Sequence, residues 1–596
     1  MDERKWQRPS LLPFSFFFLS ILVGVVAGLG AVVFRGLIAI FHNLFFLGKL
    51  SVAYDANIHT PLSPWGALVI LVPVIGAAGV AFLVQNFAPE AKGHGVPEVM
   101  DTIYYHKGMI RPVVALIKSL ASALSIGSGG SVGREGPIAQ IGASFGSTVG
   151  QVLHMPTYQR IILIAAGTGG GIAATFNTPV GGVLFAIELM LHEISVKTIV
   201  PVVITTATAT YVGQIFFGPH PSFVIPSFER PYFHLDNPPL LFSYVVLGVL
   251  LGVASTIFIK SIYGFEDFFE KRIKANYYVR HMIGMLLIGI LLYILMARLG
   301  HYYIEGVGYA AVQDVLTGKL LQPDLLLFLF LLKLIATSLT LGSGASGGIF
   351  SPSLYLGATI GGAYGVILRQ IFPELPIDPP AFAVAGMAGV AGGATGAPVT
   401  AIVMIFEMTL NYNVIIPMTI TVALSYGVRT MLSKDSIYTM KLTRRGHIIP
   451  QVLQANLYQL RRAHDVMETQ FLVLPASKKL DEFAQIITRQ PGLSVLVVAD
   501  DGGTIIGVLL KDVLLKTLLQ SKETVTLGEI ANKDYVAVAD QATLFGVIDK
   551  MHFQHASVAL VTDSSGPTSA GNVKGLITKE QIGEATTEGI DLFLGD

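Results

Sequence analysis

The sequence predicts an α-helical, polytopic membrane domain made of two repeated halves with broken helices, followed by a soluble α/β region. Three observations carry this reading. Long apolar runs fill the chain from Leu11 to about Met440, whereas the remainder has ordinary polarity. Glycine-rich breaks at Gly93–Gly95, Gly127–Gly133 and Gly167–Gly171 keep dividing those runs into pieces. The pattern of runs and breaks then recurs in the second half of the membrane region.

Composition narrows the function classes. Of 596 residues, 52% are hydrophobic and only 13% charged, against about 25% charged in a typical soluble chain. Formal net charge is zero, so nothing in the balance attracts nucleic acid. The absence of cysteine excludes a disulfide framework, a thiol nucleophile and a thiolate metal site. No nucleophile–base pair, phosphate loop or metal-ligand cluster stands out, so the chain does not read as an enzyme, and no cofactor or metal is required.

Taken in order, residues 1–10 form a tail in which Arg4, Lys5 and Arg8 precede an apolar segment from Leu11 to about Phe46. That length exceeds a cleavable signal, and the basic flank favours a cytoplasmic N-terminus. A second span runs from Trp65 to about Val84. Three shorter pieces follow: Val96–Tyr105, Ile110–Ile126 and Pro137–Val152. None is a full span, which suits half-helices better than a plain bundle.

The repeat is in register. LIKSLASALSIGSGGSVGREGP from Leu116 corresponds to LLKLIATSLTLGSGASGGIFSP from Leu331, pairing Lys118 with Lys333 and Pro137 with Pro352 at an offset of 215. Further along, Pro179 and Glu188 pair with Pro398 and Glu407 at 219, and upstream Gly93-x-Gly95 pairs with Gly306-x-Gly308 at 213. The halves are placed at about 11–215 and 238–442. Helix starts are expected after Gly95, at Gly133–Pro137, at Gly347–Pro352 and around Tyr438. Free N–H groups and the dipole of such helix starts attract anions. An ionisable pair at one of them, Arg134 and Glu135, is a functional-site hypothesis by default.

GREGP at Gly133–Pro137, GGIFSP at Gly347–Pro352 and the GxGxP element at Gly93–Pro97 resemble the three signature motifs of the CLC family of chloride channels and chloride/proton antiporters. The resemblance covers residues 11–445 and implies a homodimer with one chloride pathway per subunit and two inverted halves. It makes Glu135 the gating glutamate, with Gly95, Arg134, Gly136, Ile349, Phe350 and Tyr438 as anion-binding positions. The family's usual GSGIP reads GHGVP here, so His94 replaces the serine. Either its ring turns away or a ring N–H faces the ion.

A second departure lies at Leu189, where antiporters of the bacterial type usually carry a proton-relaying glutamate. Leu189 cannot bind a proton. The expectation is therefore a passive, gated chloride channel, with chloride/proton antiport as the alternative and a membrane scaffold or sensor as a third class. Glu188 and Glu407 are expected to bind backbone or basic partners inside the membrane domain. His106, His154 and His192 lie near predicted helix ends with no shared metal spacing.

Arg444 and Arg445 suit a cytoplasmic exit from a multi-pass protein of the cell membrane, with both termini cytoplasmic. After a linker at 446–463, residues 464–520 and 527–585 repeat one order of strands and helices. This resembles a tandem pair of cystathionine-β-synthase-type (CBS) domains. By that resemblance Asp512 and Glu580 sit where an acidic residue often meets the ribose of an adenine nucleotide. The competing reading is a dimerisation platform without ligand.

Overall fold

The computed structural model describes residues 14–191, 195–225, 238–447, 449, 461–480, 495–520, 525–563 and 569–585, without the side chains of Phe14, Pro238, Asp512, Leu515, Leu518, Leu519 and Gln520. The basic flank at Arg4–Arg8, His192 and most of the linker lie outside these residues. The chain divides into two units, Met1–Ile449 and Pro450–Asp596.

In the first unit the apolar runs become helices. The first repeat holds α1 (Phe14–Leu47), α2 (Val72–Phe87, entered through a tight turn at Gly66–Leu71), α3 (Val96–Tyr105) and α4 (Val113–Gly127). It continues with α5 (Glu135–Val152), α6 (Thr157–Phe176), α7 (Pro179–Phe185) and α8 (Val196–Phe217). The second repeat holds α9 (Pro238–Arg272), α10 (Tyr277–Leu299), α11 (Tyr309–Leu316) and α12 (Pro323–Ser343). It closes with α13 (Phe350–Ile371), α14 (Pro379–Thr395), α15 (Pro398–Thr409) and α16 (Ile415–Leu432), before a last short helix, α17 (Thr439–Thr443). Among the described residues, seven helices are long and apolar enough to cross a membrane. The protein is a multi-pass membrane protein with broken helices between its spans.

Local chemistry sets the breaks. Pro179 and Pro398 open α7 and α15, where a missing N–H costs nothing. Helices α6 and α14 end in left-handed residues, Asn177 (φ 58°) and Gly396 (φ 79°). Helix α5 crosses α6 where a Cβ on Gly142 would stand 2.0 Å from the Gly167 carbonyl. Helix α13 crosses α14 the same way, with Gly357 at 2.1 Å from the Gly386 carbonyl. Backbones at that separation leave no room for a methyl group.

Broken helices leave backbone groups that need partners away from water. Buried Lys118 donates to the carbonyls of Ala91 (2.9 Å) and Gly93 (2.8 Å). Its counterpart Lys333 donates to Ile304 (3.0 Å) and Gly306 (2.8 Å). The carboxylates cross between repeats. Glu188 accepts from the N–H groups of Val399 (3.2 Å) and Thr400 (2.8 Å) at the start of α15. Glu407 accepts from Val180 (3.1 Å) and Gly181 (2.7 Å) at the start of α7. Both glutamates thus find backbone partners, as their sequence positions led us to expect.

The second unit contains two three-stranded sheets of one design. Strands β1 (Leu472–Pro475), β2 (Val495–Ala499) and β3 (Ile505–Leu510) lie in that order, β1–β2 parallel and β2–β3 antiparallel. Strands β4 (Tyr535–Ala539), β5 (Val558–Thr562) and β6 (Val573–Thr578) repeat the order and pairing. The register slips at the same place in each, between Val498 and Ala499 and between Val561 and Thr562. Alternating burial in β4 and full burial in β2 and β5 put the central strands inside and the first strand at an edge.

Replacing Lys333 by Met keeps the apolar stem and orphans two buried carbonyls. At about 1–3 kcal/mol for each unsatisfied group, we expect the detergent-solubilised protein to lose about 2–6 kcal/mol of stability. A lower midpoint in a thermal unfolding scan reads this, and an unchanged midpoint would show that the carbonyls have other partners.

Candidate functional site

Three glycine-rich breaks meet in the first unit. Gly133 and Gly348 exchange backbone hydrogen bonds, Gly133 N–H to Gly348 O at 2.7 Å and Gly348 N–H to Gly133 O at 2.6 Å. Gly93 donates to Ala345 O (3.0 Å) and accepts from Gly347 N–H (3.2 Å). These contacts bring the first turns of α3, α5 and α13 together. The approach is close: a Cβ on Gly136 would stand 1.8 Å from the His94 carbonyl. Any side chain there would push the loops apart.

Glu135 begins α5 and is 1% exposed. Its side chain turns away from its own helix to the N-terminus of α13. One carboxylate oxygen accepts from the Ser351 N–H at 3.2 Å, and the other accepts from the Tyr309 hydroxyl at 3.0 Å and from the Ser351 hydroxyl. The two hydroxyls are themselves 2.7 Å apart. A negative group sits where free N–H groups and a helix dipole favour one. The N–H groups of Ile349 and Phe350 belong to the same start, ahead of any carbonyl four residues back.

Arg134 is buried beside it. Its guanidinium lies over the rings of Phe176 (5.1 Å) and Tyr309 (5.3 Å), and its Nε has no hydrogen-bond partner. A cavity of about 310 Å³ reaches this group, lined among others by Arg35, Arg134 and Tyr309. Positive charge therefore faces an opening that ends near the Glu135 carboxylate.

His94 is buried, with Nδ1 unpartnered and its ring edge-on to Tyr263 at 6.2 Å. Gly95 (φ 87°) precedes α3 and packs on Gly136. Tyr438 is buried just before α17. Its segment is pinned by Ile437 N–H to Ala394 O (2.9 Å) and the Tyr263 hydroxyl to Ile437 O (2.5 Å). Leu189 is buried in a widened turn, Ala186–Leu191, that continues α7. In the second unit Glu580 is exposed and lies beside Glu468. The Asp512 side chain lies outside what is described. His106 and His154 lie at helix ends; His106 meets Asp101 at 3.4 Å. Among the described residues no group of His, Asp or Glu has metal-site geometry.

The sequence motifs did not disclose Tyr309 or the double contact of Ser351. A signal existed, since Tyr309 follows Gly306-x-Gly308 directly and Ser351 lies within GGIFSP.

Helix starts converging on a buried carboxylate, inside a repeated set of membrane helices, define an anion-handling membrane protein. The comparisons with known proteins identify the family. The family described as voltage gated chloride channel matches residues 75–430, and the CBS domain matches residues 463–520. The H(+)/Cl(-) exchange transporter ClcA of Vibrio cholerae serotype O1 (strain M66-2) is 33% identical over 443 residues, which is 72% of this chain and 90% of that protein. A slow cyanobacterial Cl-/H+ antiporter of known crystal structure is similar over 72% of this chain and 97% of its own, with 26% identity and a TM-score of 0.62. A eukaryotic CLC transporter shares the fold over 95% of this chain and 97% of its own, at 20% identity and a TM-score of 0.59. The chain belongs to the CLC chloride transporter family and carries a C-terminal CBS region.

These relatives correct one expectation. A passive channel was inferred from Leu189, yet the relatives named are an exchange transporter and an antiporter. A missing glutamate at one position removes one proton carrier, whereas transport of protons needs only some chain of titratable groups and water.

The Tyr309 hydroxyl donates to a carboxylate, a bond worth about 1.5–3 kcal/mol. Tyr309→Phe should loosen Glu135 from α13 and tighten chloride binding about tenfold or more. Calorimetric titration of the purified protein with chloride measures this, and an unchanged affinity would separate the hydroxyl from the anion site.

Proposed function

We propose that the protein is a secondary-active chloride/proton antiporter of the cell membrane. It works as a homodimer with one pathway per subunit and with both termini cytoplasmic. One observation carries the reading: the Glu135 carboxylate occupies the N-terminus of α13, the place an anion would take. A single seat then serves two exclusive occupants. When Glu135 is ionised it competes with chloride for the Ser351 N–H. When it takes a proton it loses its attraction to the helix dipole and leaves the seat to chloride. Binding of proton and chloride is thereby linked, and linkage is reciprocal.

The other residues fall into place around that exchange. Arg134, buried and lacking a partner at Nε, draws anions toward the seat through its cavity. Deeper in the pathway, the N–H groups of Ile349 and Phe350 and the Tyr438 hydroxyl would hold a second chloride. Gly95 and Gly136 allow the close packing of loops that the site requires. His94 stands where a serine hydroxyl is usual, and its ring offers an N–H instead. The basic pair Arg444 and Arg445 favours the cytoplasmic side for the tail.

In the tail, Glu580 supports an adenine nucleotide as a regulatory ligand. Lys579, His552 and His555 line a cavity of about 390 Å³. Calorimetry with ATP, ADP and AMP on the full chain should give binding that Glu580→Gln weakens. Absence of binding would favour a purely structural tail.

The transport test uses purified protein in liposomes. A chloride gradient is imposed, the voltage is clamped with valinomycin and potassium, and external pH is followed. Uphill proton movement driven by chloride is expected; chloride flux without it would overturn antiport. Glu135→Gln should abolish proton movement and leave a chloride flux that no longer depends on pH, because a neutral amide neither carries the proton nor competes as an anion.

A further inference from the structure

Antiport requires a proton to reach Glu135 from the opposite side of the membrane unit, and Leu189 cannot pass one. A different group lies on that side. Helix α3 starts at the Glu135 loop, where a Cβ on Gly95 would stand 2.6 Å from the Gly136 carbonyl, and it runs to the face from which the chain leaves α17. Asp101 sits six residues beyond Gly95, about 9 Å along the helix. It is 7% exposed. His447 Nδ1 lies 2.5 Å from one carboxylate oxygen, and His106 Nε2 lies 3.4 Å from the other. The His447 ring is stacked on Tyr105 at 4.1 Å, which fixes its orientation.

Two carboxylates are available, and their partners distinguish them. Glu98 is held by both terminal nitrogens of Arg445, at 3.0 and 2.5 Å. Its protonation would strand a guanidinium. Asp101 faces two imidazoles instead, with Arg445 4.0 Å away. Imidazole is the side chain that exchanges protons near neutral pH. Of the other charged groups lining the cavity, Glu90 pairs with Arg111 at 2.7 Å and Arg160 donates to the Lys107 carbonyl at 2.6 Å, while Lys107 adds a cation to the lining.

Asp101 and His106 also line a cavity of about 660 Å³, a volume that admits many waters. Gln140 of α5, which is 2% exposed, lines the same cavity. Its Nε2 donates to the Glu90 carbonyl at 3.0 Å, and its Oε1 is buried without a partner. Gln140 lies five residues beyond Glu135, about 7.5 Å along the same helix. An unpaired acceptor lining a cavity with room for water, on the helix that carries Glu135, is placed to order a water.

We propose that Asp101, charged through His447, is the proton-uptake group that serves in place of a relay carboxylate at Leu189. A proton from solvent settles on the His447 imidazole and passes to the Asp101 carboxylate. From there it moves to cavity water held at Gln140 and ends on the Glu135 carboxylate, which then leaves the Ser351 N–H as a neutral acid. Each step moves one proton between an N or O donor and an O acceptor, and no other bond changes. The inference rests on the antiport reading above.

The test measures chloride and proton fluxes together in liposomes containing the full chain. Asp101→Asn should lower proton flux relative to chloride flux by on the order of tenfold or more. Asp101→Glu should restore the wild-type ratio, and so should adding Leu189→Glu to Asp101→Asn. His447→Gln should lower the ratio in the same direction, and it carries the test if Asp101→Asn does not assemble. A wild-type flux ratio in Asp101→Asn, or in His447→Gln where that variant stands in, would overturn the proposal while leaving antiport intact. A wild-type protein that moves chloride but no protons would overturn antiport and this inference with it.

Discussion

Backbone polar groups away from water must be paired, and this constraint organises the membrane unit. Interrupting a helix inside such a unit frees N–H and carbonyl groups at each break. Here nearly every break has its own answer. Lys118 and Lys333 take the carbonyls of the loops before α3 and α11, Gly133 and Gly348 pair with one another, and Glu188 and Glu407 take the N–H groups that open α15 and α7. At the start of α13 the answer is a side chain that can leave. Glu135 holds the Ser351 N–H most strongly while it carries a charge, and protonation weakens that hold.

Much of this was legible in the chain. Val96–Tyr105 was read as a helix and is one, because Gly95 fixes its start and Lys107-Gly108 follows its end. Helix α5 begins at Glu135, two residues before the expected Pro137, because proline fits the first turn rather than its first residue alone. In the second unit the sequence places β-like runs at Ser494–Val498 and Thr504–Leu509, and β2 and β3 fall within one residue of them. Strand β1 was missed: four residues with half-buried alternation, ending in proline, give too short a period to read.

The site was legible in its motifs and not in its contacts. Glu135, Ile349 and Phe350 stand in recognisable glycine-rich settings, whereas Tyr309 meets Glu135 across 174 residues of sequence. No local pattern encodes a hydroxyl arriving from another repeat. Leu189 misled for a related reason. A single position was taken to decide proton transfer, although the capacity to move protons belongs to a connected set of groups. Asp101 and His447 are separated by 346 residues and touch only in the folded chain.

The reciprocal carboxylates have a consequence for how the two repeats are joined. Glu188 of the first repeat completes the start of α15 in the second, and Glu407 of the second completes the start of α7 in the first. Each half lends the other the same group at the equivalent place. Two identical half-length chains related by a twofold axis would make this contact twice over, as any isologous pair does. The present chain therefore carries, within one polypeptide, a join between its repeats built as an isologous interface is, and the two glutamates mark its equivalent halves.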